Sequence, residues 1–410
     1  MLALSLLFAC GQDSSAPPAD SAQNVTVTYW RDVRPVLDRT CARCHTERGQ
    51  ALSFDDPASV QALATSIATV TAAGTMPPPA PDPTCRDYVG SEALTLSADD
   101  RATLRSWADA GAPLGNEADA PAAWVAPTIA PFDATMIGEG AYQPNFAGTG
   151  NDYRCFVLDV GNPTRTWVNG FEPLVDNAAI VHHIVLWSVE ADWAPPAPAD
   201  AQPGFPCDGF GQGGWSFFAG WAPGGQAVRF DEGVGMPLRR DARFVLQMHY
   251  YDAFPGAENE FDQSGYGLTF ADSVEREVFQ LPLGVEDFTI PADRADHEEA
   301  MVVPWPERYG EVTILGSFPH MHLRGSSFEF NLRHPDTSTT CVTRVPRWDF
   351  HNQQSVVLLE PVTVGPGDVI DLRCRYDNSG NPEPVEWGER TDQEMCYGFT
   401  YGYAGGPIAR

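Results

Sequence analysis

Two hydrophobic spacings divide the chain. Near the N-terminus the spacing is helical: Trp30-Arg31-Asp32-Val33-Arg34-Pro35-Val36-Leu37 reads as one helical stretch. A second begins at Ser97-Ala98-Asp99-Asp100, a capping-box-like start. It puts Leu104, Trp107 and Ala108 on one face and stops at Gly111-Ala112-Pro113. Beyond residue 130 the period becomes two. Phe244-Val245-Leu246-Gln247-Met248-His249-Tyr250, Glu311-Val312-Thr313-Ile314-Leu315 and Phe328-Glu329-Phe330-Asn331-Leu332 read as strands. No helix-length amphipathic segment and no tandem repeat stands out there, so two successive β-sandwich domains are predicted, at 131–288 and 289–410. Residues 116–130, with Asn116, Asp119, Pro121, Ala122 and Ala123, read as a linker.

Length and composition support this division. The 410 residues are 43% hydrophobic, enough for more than one core, and the 37 glycines and 36 prolines suit many turns between short strands. A net charge of −30 argues against nucleic acid or an anionic membrane surface as partner, since both need a basic footprint. All 25 basic residues are arginine, which excludes Schiff-base, P-loop-lysine and class A β-lactamase chemistry. The opening run Met1-Leu2-Ala3-Leu4-Ser5-Leu6-Leu7-Phe8-Ala9-Cys10 is too short to span a bilayer. It looks like the end of a signal peptide, and Leu7-Phe8-Ala9-Cys10 resembles a bacterial lipobox with Cys10 as the acylated residue. Residues 1–24 are therefore expected to be a lipoprotein signal and tether. The expected compartment is the periplasm or outer-membrane face, with the lipid at Cys10 as the membrane contact.

Residues 41–45 read Cys-Ala-Arg-Cys-His. In such a spacing Cys41 and Cys44 can add to haem vinyl groups while His45 becomes the proximal iron ligand. A zinc half-site or a redox dithiol would not need the adjacent histidine. Met76, flanked by Pro77-Pro78-Pro79, is the only methionine between residues 2 and 135 and the candidate sixth ligand. Residues 25–115 thus resemble a small all-α class I cytochrome c. Six cysteines remain after Cys10, Cys41 and Cys44, and an oxidising compartment would allow three disulfides in any of 15 pairings.

Nine histidines are present, and five cluster in three places. These are Val181-His182-His183-Ile184, Gln247-Met248-His249-Tyr250 and Pro319-His320-Met321-His322. A His-x-His on a strand puts both imidazoles on one face. A His-His doublet points to opposite faces of an ideal strand, so His182 and His183 can share one metal only if the strand twists there or each uses a suitable ring nitrogen. Together with Asp392-Gln393-Glu394-Met395-Cys396, these stretches resemble the copper type II ascorbate-dependent monooxygenases, the peptidylglycine and dopamine β-monooxygenase group. The resemblance runs from about residue 131 to the C-terminus.

That resemblance implies two copper ions. His182, His183 and His249 would bind the electron-transferring ion, and His320, His322 and Met395 the ion that meets dioxygen. It also implies disulfides Cys155–Cys207 and Cys374–Cys396. Cys85 and Cys341 are left over, open to pairing across domains or to remaining free. His297, His334 and His351 fall outside the pattern and read as surface or structural.

Two departures bear on substrate. Peptidylglycine enzymes hold a substrate carboxylate with an arginine two residues before the His-x-His and a tyrosine shortly after the methionine ligand. Here those positions are Phe318 and Phe399. With Trp215 and Trp221, these aromatics point to a less polar substrate. The expected function is a copper-dependent monooxygenase acting on a small molecule with O2. Electrons would come singly from a periplasmic donor through the fused haem, from ascorbate, or from both. The alternative is a non-catalytic, lipid-anchored haem–copper electron carrier or copper-binding protein.

Overall fold

In the computed structural model, residues 26–406 are described, except 48, 50, 147, 149, 191, 198, 199, 208–212, 253, 389 and 391. Cys10 lies outside the described residues. The N-terminal region is helical. Tyr29–Val33 leads directly into Arg34–Thr40, where Pro35 sits in the first turn and its missing N–H costs no hydrogen bond. Helices Pro57–Ala62, Ala64–Ala72, Ser91–Leu94 and Ala98–Asp109 follow. The expected capping box is formed: Ser97 Oγ accepts from the Asp100 N–H at 3.0 Å, and Asp100 accepts from the Ser97 N–H at 2.9 Å. Val33, Leu37, Val60, Ile67, Leu104 and Trp107 bury one small core.

The rest is β-structure in two sandwiches. In the first, one sheet orders Ala134–Ile137, Gly265–Ala271, Thr166–Leu174, Val234–Leu238 and Arg276–Glu277, with Val228–Arg229 also on Thr166–Leu174. The other orders Phe205–Pro206, Asn151–Asp159, Arg243–Tyr251, Val181–Val189 and Trp215–Trp221. Val168, Phe171, Met236 and Leu268 of one sheet share a core with Phe156, Leu186, Phe244 and Leu246 of the other.

In the second sandwich, His297–Pro304, Val369–Tyr376, Gly325–Arg333 and Thr339–Val345 face Phe279–Val285, Cys396–Ala404, Val312–His320 and Val356–Val364. Phe279–Val285 lies before the expected boundary at 288, yet it pairs along its whole length with Cys396–Ala404. Nothing in local composition marks that crossover; only strand pairing does.

The strand Val312–His320 is buried at every position, as is Cys396–Ala404 up to Tyr403. One face of this sheet packs into its own sandwich through Val312, Ile314 and Cys396. The other packs on the first sandwich through Phe318, Tyr397, Phe399 and Tyr401. Both faces of these strands are therefore covered, and neither is left to solvent. The helical region is tied to the second sandwich by the disulfide Cys85–Cys341 and by the Asp82–Arg344 pair at 2.7 Å. It touches the first sandwich where Arg43 donates to the Pro223 carbonyl at 3.1 Å. Gly224, at φ +94°, allows that approach: a Cβ there would lie 2.3 Å from Arg43 Nη1.

Candidate metal centres

His182, His183 and His249 come together on adjacent strands of the first sandwich. In the antiparallel pairing His183 lies opposite His249, and the register shifts between Val181 and His183. That shift is a β-bulge, with two residues on one strand opposed to one on the other. It answers the problem of the doublet, because the bulge turns His182 towards the same side as His183. The His183 and His249 Nδ1 atoms are 3.3 Å apart, and those of His182 and His183 are 3.2 Å apart. Imidazole nitrogens about 2.0 Å from one ion at near-tetrahedral angles would be separated by about 3.3 Å. The three side chains offer ligand atoms that all lie within 4.8 Å of one another.

Protonation fits the same use. Burial, then the neighbouring histidines, pushes His182 down to about 2 and His183 to about 3, and holds His249 well below its ordinary value. All three are therefore neutral near pH 7, with one lone-pair nitrogen each. The Asn151 Oδ1 lies 2.8 Å from His249 Nε2 and accepts its proton, leaving Nδ1 for a ligand. Tyr153 stacks on the same ring at 4.2 Å between centroids. The disulfide Cys155–Cys207 pins the strand that carries both Asn151 and Tyr153.

The second cluster ends the strand Val312–His320. His320 and His322 are buried, their rings 5.1 Å apart and nearly perpendicular. The His320 Nδ1–H donates to Gln353 Oε1 at 2.7 Å, and the His322 Nδ1–H donates to the Gln393 carbonyl at 3.0 Å. Both therefore keep Nε2 as the lone-pair nitrogen. Burial holds His320 well below its ordinary value and brings His322 to about 4.

Met395 is buried on the segment that runs beside His322. His320 pairs with Tyr397, and two residues further along the two chains come His322 and Met395. Glu394 organises this turn: its carboxylate accepts from the backbone N–H groups of His322, at 2.8 Å, and of Arg324, at 2.5 Å. Burial nevertheless raises Glu394 to about 7, against those hydrogen bonds. Cys396 is bonded to Cys374, and Tyr376 donates to the Met395 carbonyl at 2.9 Å.

The two clusters face one another. The Phe350 ring stands between them, 6.5 Å from His183 and 6.1 Å from His322 between centroids. Phe318 and Phe399 are buried against Phe217 of the first sandwich, at 5.1 and 5.0 Å between ring centroids. They pack the seam between sandwiches. His351, read from the sequence as surface or structural, is exposed, and its Nδ1 lies 2.7 Å from His182 Nε2. No histidine pattern marked it, because it comes from a loop of the other sandwich. His297 and His334 pair with Glu299 and Asp368, away from both clusters.

In the helical region Cys41 and Cys44 are the free cysteines among the described residues. His45 Nδ1 is 2.7 Å from the Leu52 carbonyl and donates to it, so Nε2 carries the lone pair; the ring stacks on Phe54. Met76 is exposed at the surface beyond helix Ala64–Ala72. The sixth-ligand expectation for it therefore rests on the sequence alone, as the only methionine between residues 2 and 135.

Comparison with known proteins decides the family. Residues 143–254 match the N-terminal domain, and residues 292–408 the C-terminal domain, of the copper type II ascorbate-dependent monooxygenases. Together the two matches span more than half of the chain. The chain belongs to that family. It is 26% identical over 259 residues to the human putative DBH-like monooxygenase protein 2, covering 57% of this chain and 49% of that one. Dopamine beta-hydroxylase of Equus caballus is 24% identical over 283 residues, covering 62% and 44%. The Bos taurus protein of the same name is 25% identical over 300 residues, covering 67% and 47%. The chain thus spans about half or less of these relatives' length. Both family matches lie in the β-structure, and the helical region falls outside them. Copper fits what the clusters offer: three neutral imidazoles in one, two imidazoles beside a thioether in the other.

Proposed function

We propose that this chain is a copper-dependent monooxygenase that hydroxylates a small organic molecule. One C–H bond, O2, two electrons and two protons give one alcohol and one water. The observation that carries this reading is the convergence of three Nδ1 atoms in one sandwich, opposite the His-x-His and Met395 of the other. Bound copper supplies one-electron storage at the all-nitrogen centre and reduction of dioxygen at the centre containing sulfur.

The residues do the rest. His182, His183 and His249 stay neutral because they are buried, and Asn151 fixes the tautomer of His249. His320 and His322 are held by Gln353 and the Gln393 carbonyl, while Glu394 secures the turn that brings Met395 beside them. Phe217, Phe318 and Phe399 close the seam beside His320 and keep water from entering along it. Phe318 and Phe399 stand where peptidylglycine enzymes carry the arginine and tyrosine that hold a substrate carboxylate, so that clamp is absent here and a glycine-extended peptide is not the expected substrate.

The helical region serves in this reading as a cytochrome c-like donor. Cys41 and Cys44 would carry the haem and His45 and Met76 would ligate it, and the haem would supply electrons singly, alongside or in place of ascorbate. The two free thiols and the His45 tautomer support this, as does the docking of Arg43 on Pro223. Export to an oxidising compartment, with lipid at Cys10, completes the proposal and accords with three disulfides.

Metal analysis of the copper-loaded chain tests it. One iron and two coppers are expected, falling towards one copper in Met395→Ala, with O2 uptake tied to product. Two coppers without substrate-coupled O2 uptake across a panel of apolar substrates would instead indicate an electron carrier.

A further inference from the structure

The loop from Trp348 to Gln354, in the second sandwich, touches both histidine clusters and the helical region. Trp348 Nε1 donates to the His322 carbonyl at 3.2 Å. Phe350 stands between the clusters. His351 Nδ1 is 2.7 Å from His182 Nε2, and Gln353 Oε1 is 2.7 Å from His320 Nδ1. Asn352, between those two, donates to the Pro79 carbonyl at 2.5 Å, just beyond Met76. Gln354 donates to the Pro223 carbonyl at 3.3 Å, the same oxygen that accepts from Arg43.

We propose that this loop is the shared outer support of both centres, with His351 the positioning residue for the first and Gln353 for the second. This rests on reading the clustered histidines as copper ligands. A histidine that presents Nδ1 to a metal must carry its proton on Nε2, and that proton needs an acceptor to hold the ring in place. His249 finds its acceptor, Asn151, within its own sandwich. His182 finds one in the other sandwich: its Nε2–H donates to His351 Nδ1. His182 is therefore braced only when the sandwiches are together. His320 is braced in the mirror sense, donating from Nδ1 so that Nε2 faces the metal.

Two braces lie two residues apart on one strap, so whatever moves the strap moves one ligand of each centre. Asn352 gives the helical region a grip on the strap between them. His351 itself is exposed and contributes little to any core, so its replacement should leave the fold intact.

The test uses the full chain and reads copper itself. In a His322→Ala background, so that only the first centre loads, copper is titrated against a competing chelator and the Cu(II) EPR spectrum recorded. His351→Ala should weaken binding by roughly 10–100-fold and change the hyperfine splitting. His351→Gln, which keeps an acceptor, should restore most of both. In a His249→Ala background, Gln353→Leu should weaken the second centre by a similar factor, while His351→Ala leaves it unchanged. Wild-type affinity and an unchanged spectrum in His351→Ala overturn the inference alone. A wild-type chain that takes up no copper overturns the ligand reading and the inference with it.

Discussion

The two candidate centres reach similar ends by opposite routes. The first is built on adjacent strands of one sheet, where a bulge turns a His-His doublet to one side and a neighbouring strand adds the third ring. The second takes two histidines from the natural alternation at a strand end and a thioether from the returning chain. The first offers nitrogen alone, which suits both copper oxidation states. The second adds soft sulfur, which favours the reduced ion. The proposed division of labour between electron storage and oxygen chemistry would follow from this difference in ligand type.

The contrast can be broken most severely at a ligand. His249→Ala should empty the first centre and leave the second loaded, halving bound copper in metal analysis. The affinity loss should exceed the ~100-fold typical of losing an outer partner. Met395→Leu keeps volume and packing, at a cost under about 1.5 kcal/mol in a thermal melt. It should selectively weaken Cu(I) at the second centre, measured by Cu(I) competition; equal weakening of both centres would end the assignment of the thioether.

Removing the Cys374–Cys396 disulfide, whose partners are 22 residues apart, should lower stability by about 3 kcal/mol. Copper affinity at the second centre should fall with it, while the first is untouched. Asn151→Ala should cost the first centre roughly 10–100-fold in affinity by leaving the His249 Nε2–H without its fixed acceptor.

The smallest effect lies outside both centres. Asp82 is pushed up by burial, but Thr84 and Arg344 outweigh this and hold its carboxyl below the usual range. A depressed folded value gives stability that is present above the unfolded value, about 3.9, and lost as pH falls through the folded one. Arg344→Ala should therefore lower stability at pH 7 by at most about 1 kcal/mol, and the gap should close as pH falls below about 4. Both copper affinities should be unmoved.

Much of this was legible before any fold was known. The helix from Ala98 to Asp109 follows from Ser97 and its capping box, since cap and apolar spacing are both local. The His-x-His was legible as a pair, but the strand ends at His320 and the turn held by Glu394 places His322. The doublet was harder, because whether His182 and His183 share a side depends on a register shift against the strand carrying His249, which no local pattern reveals. Phe318 and Phe399 left both a cleft and a core open in the sequence, and the packing of Phe217 against them decided for the seam. The place of the Phe279–Val285 strand was hidden for a related reason: it finds its partner more than a hundred residues away.

The sequence by itself determined the chemistry available, namely which residues could bind metal, in what order and with what softness. It did so because ligand type and short spacing are properties of the chain. Tertiary structure alone decided which outer partners complete each centre. It brought His351 to His182 across the seam, paired Cys85 with Cys341, and set one loop against both centres and the helical region. Those contacts join residues far apart in the chain, and only packing of separate domains fixes distances between them.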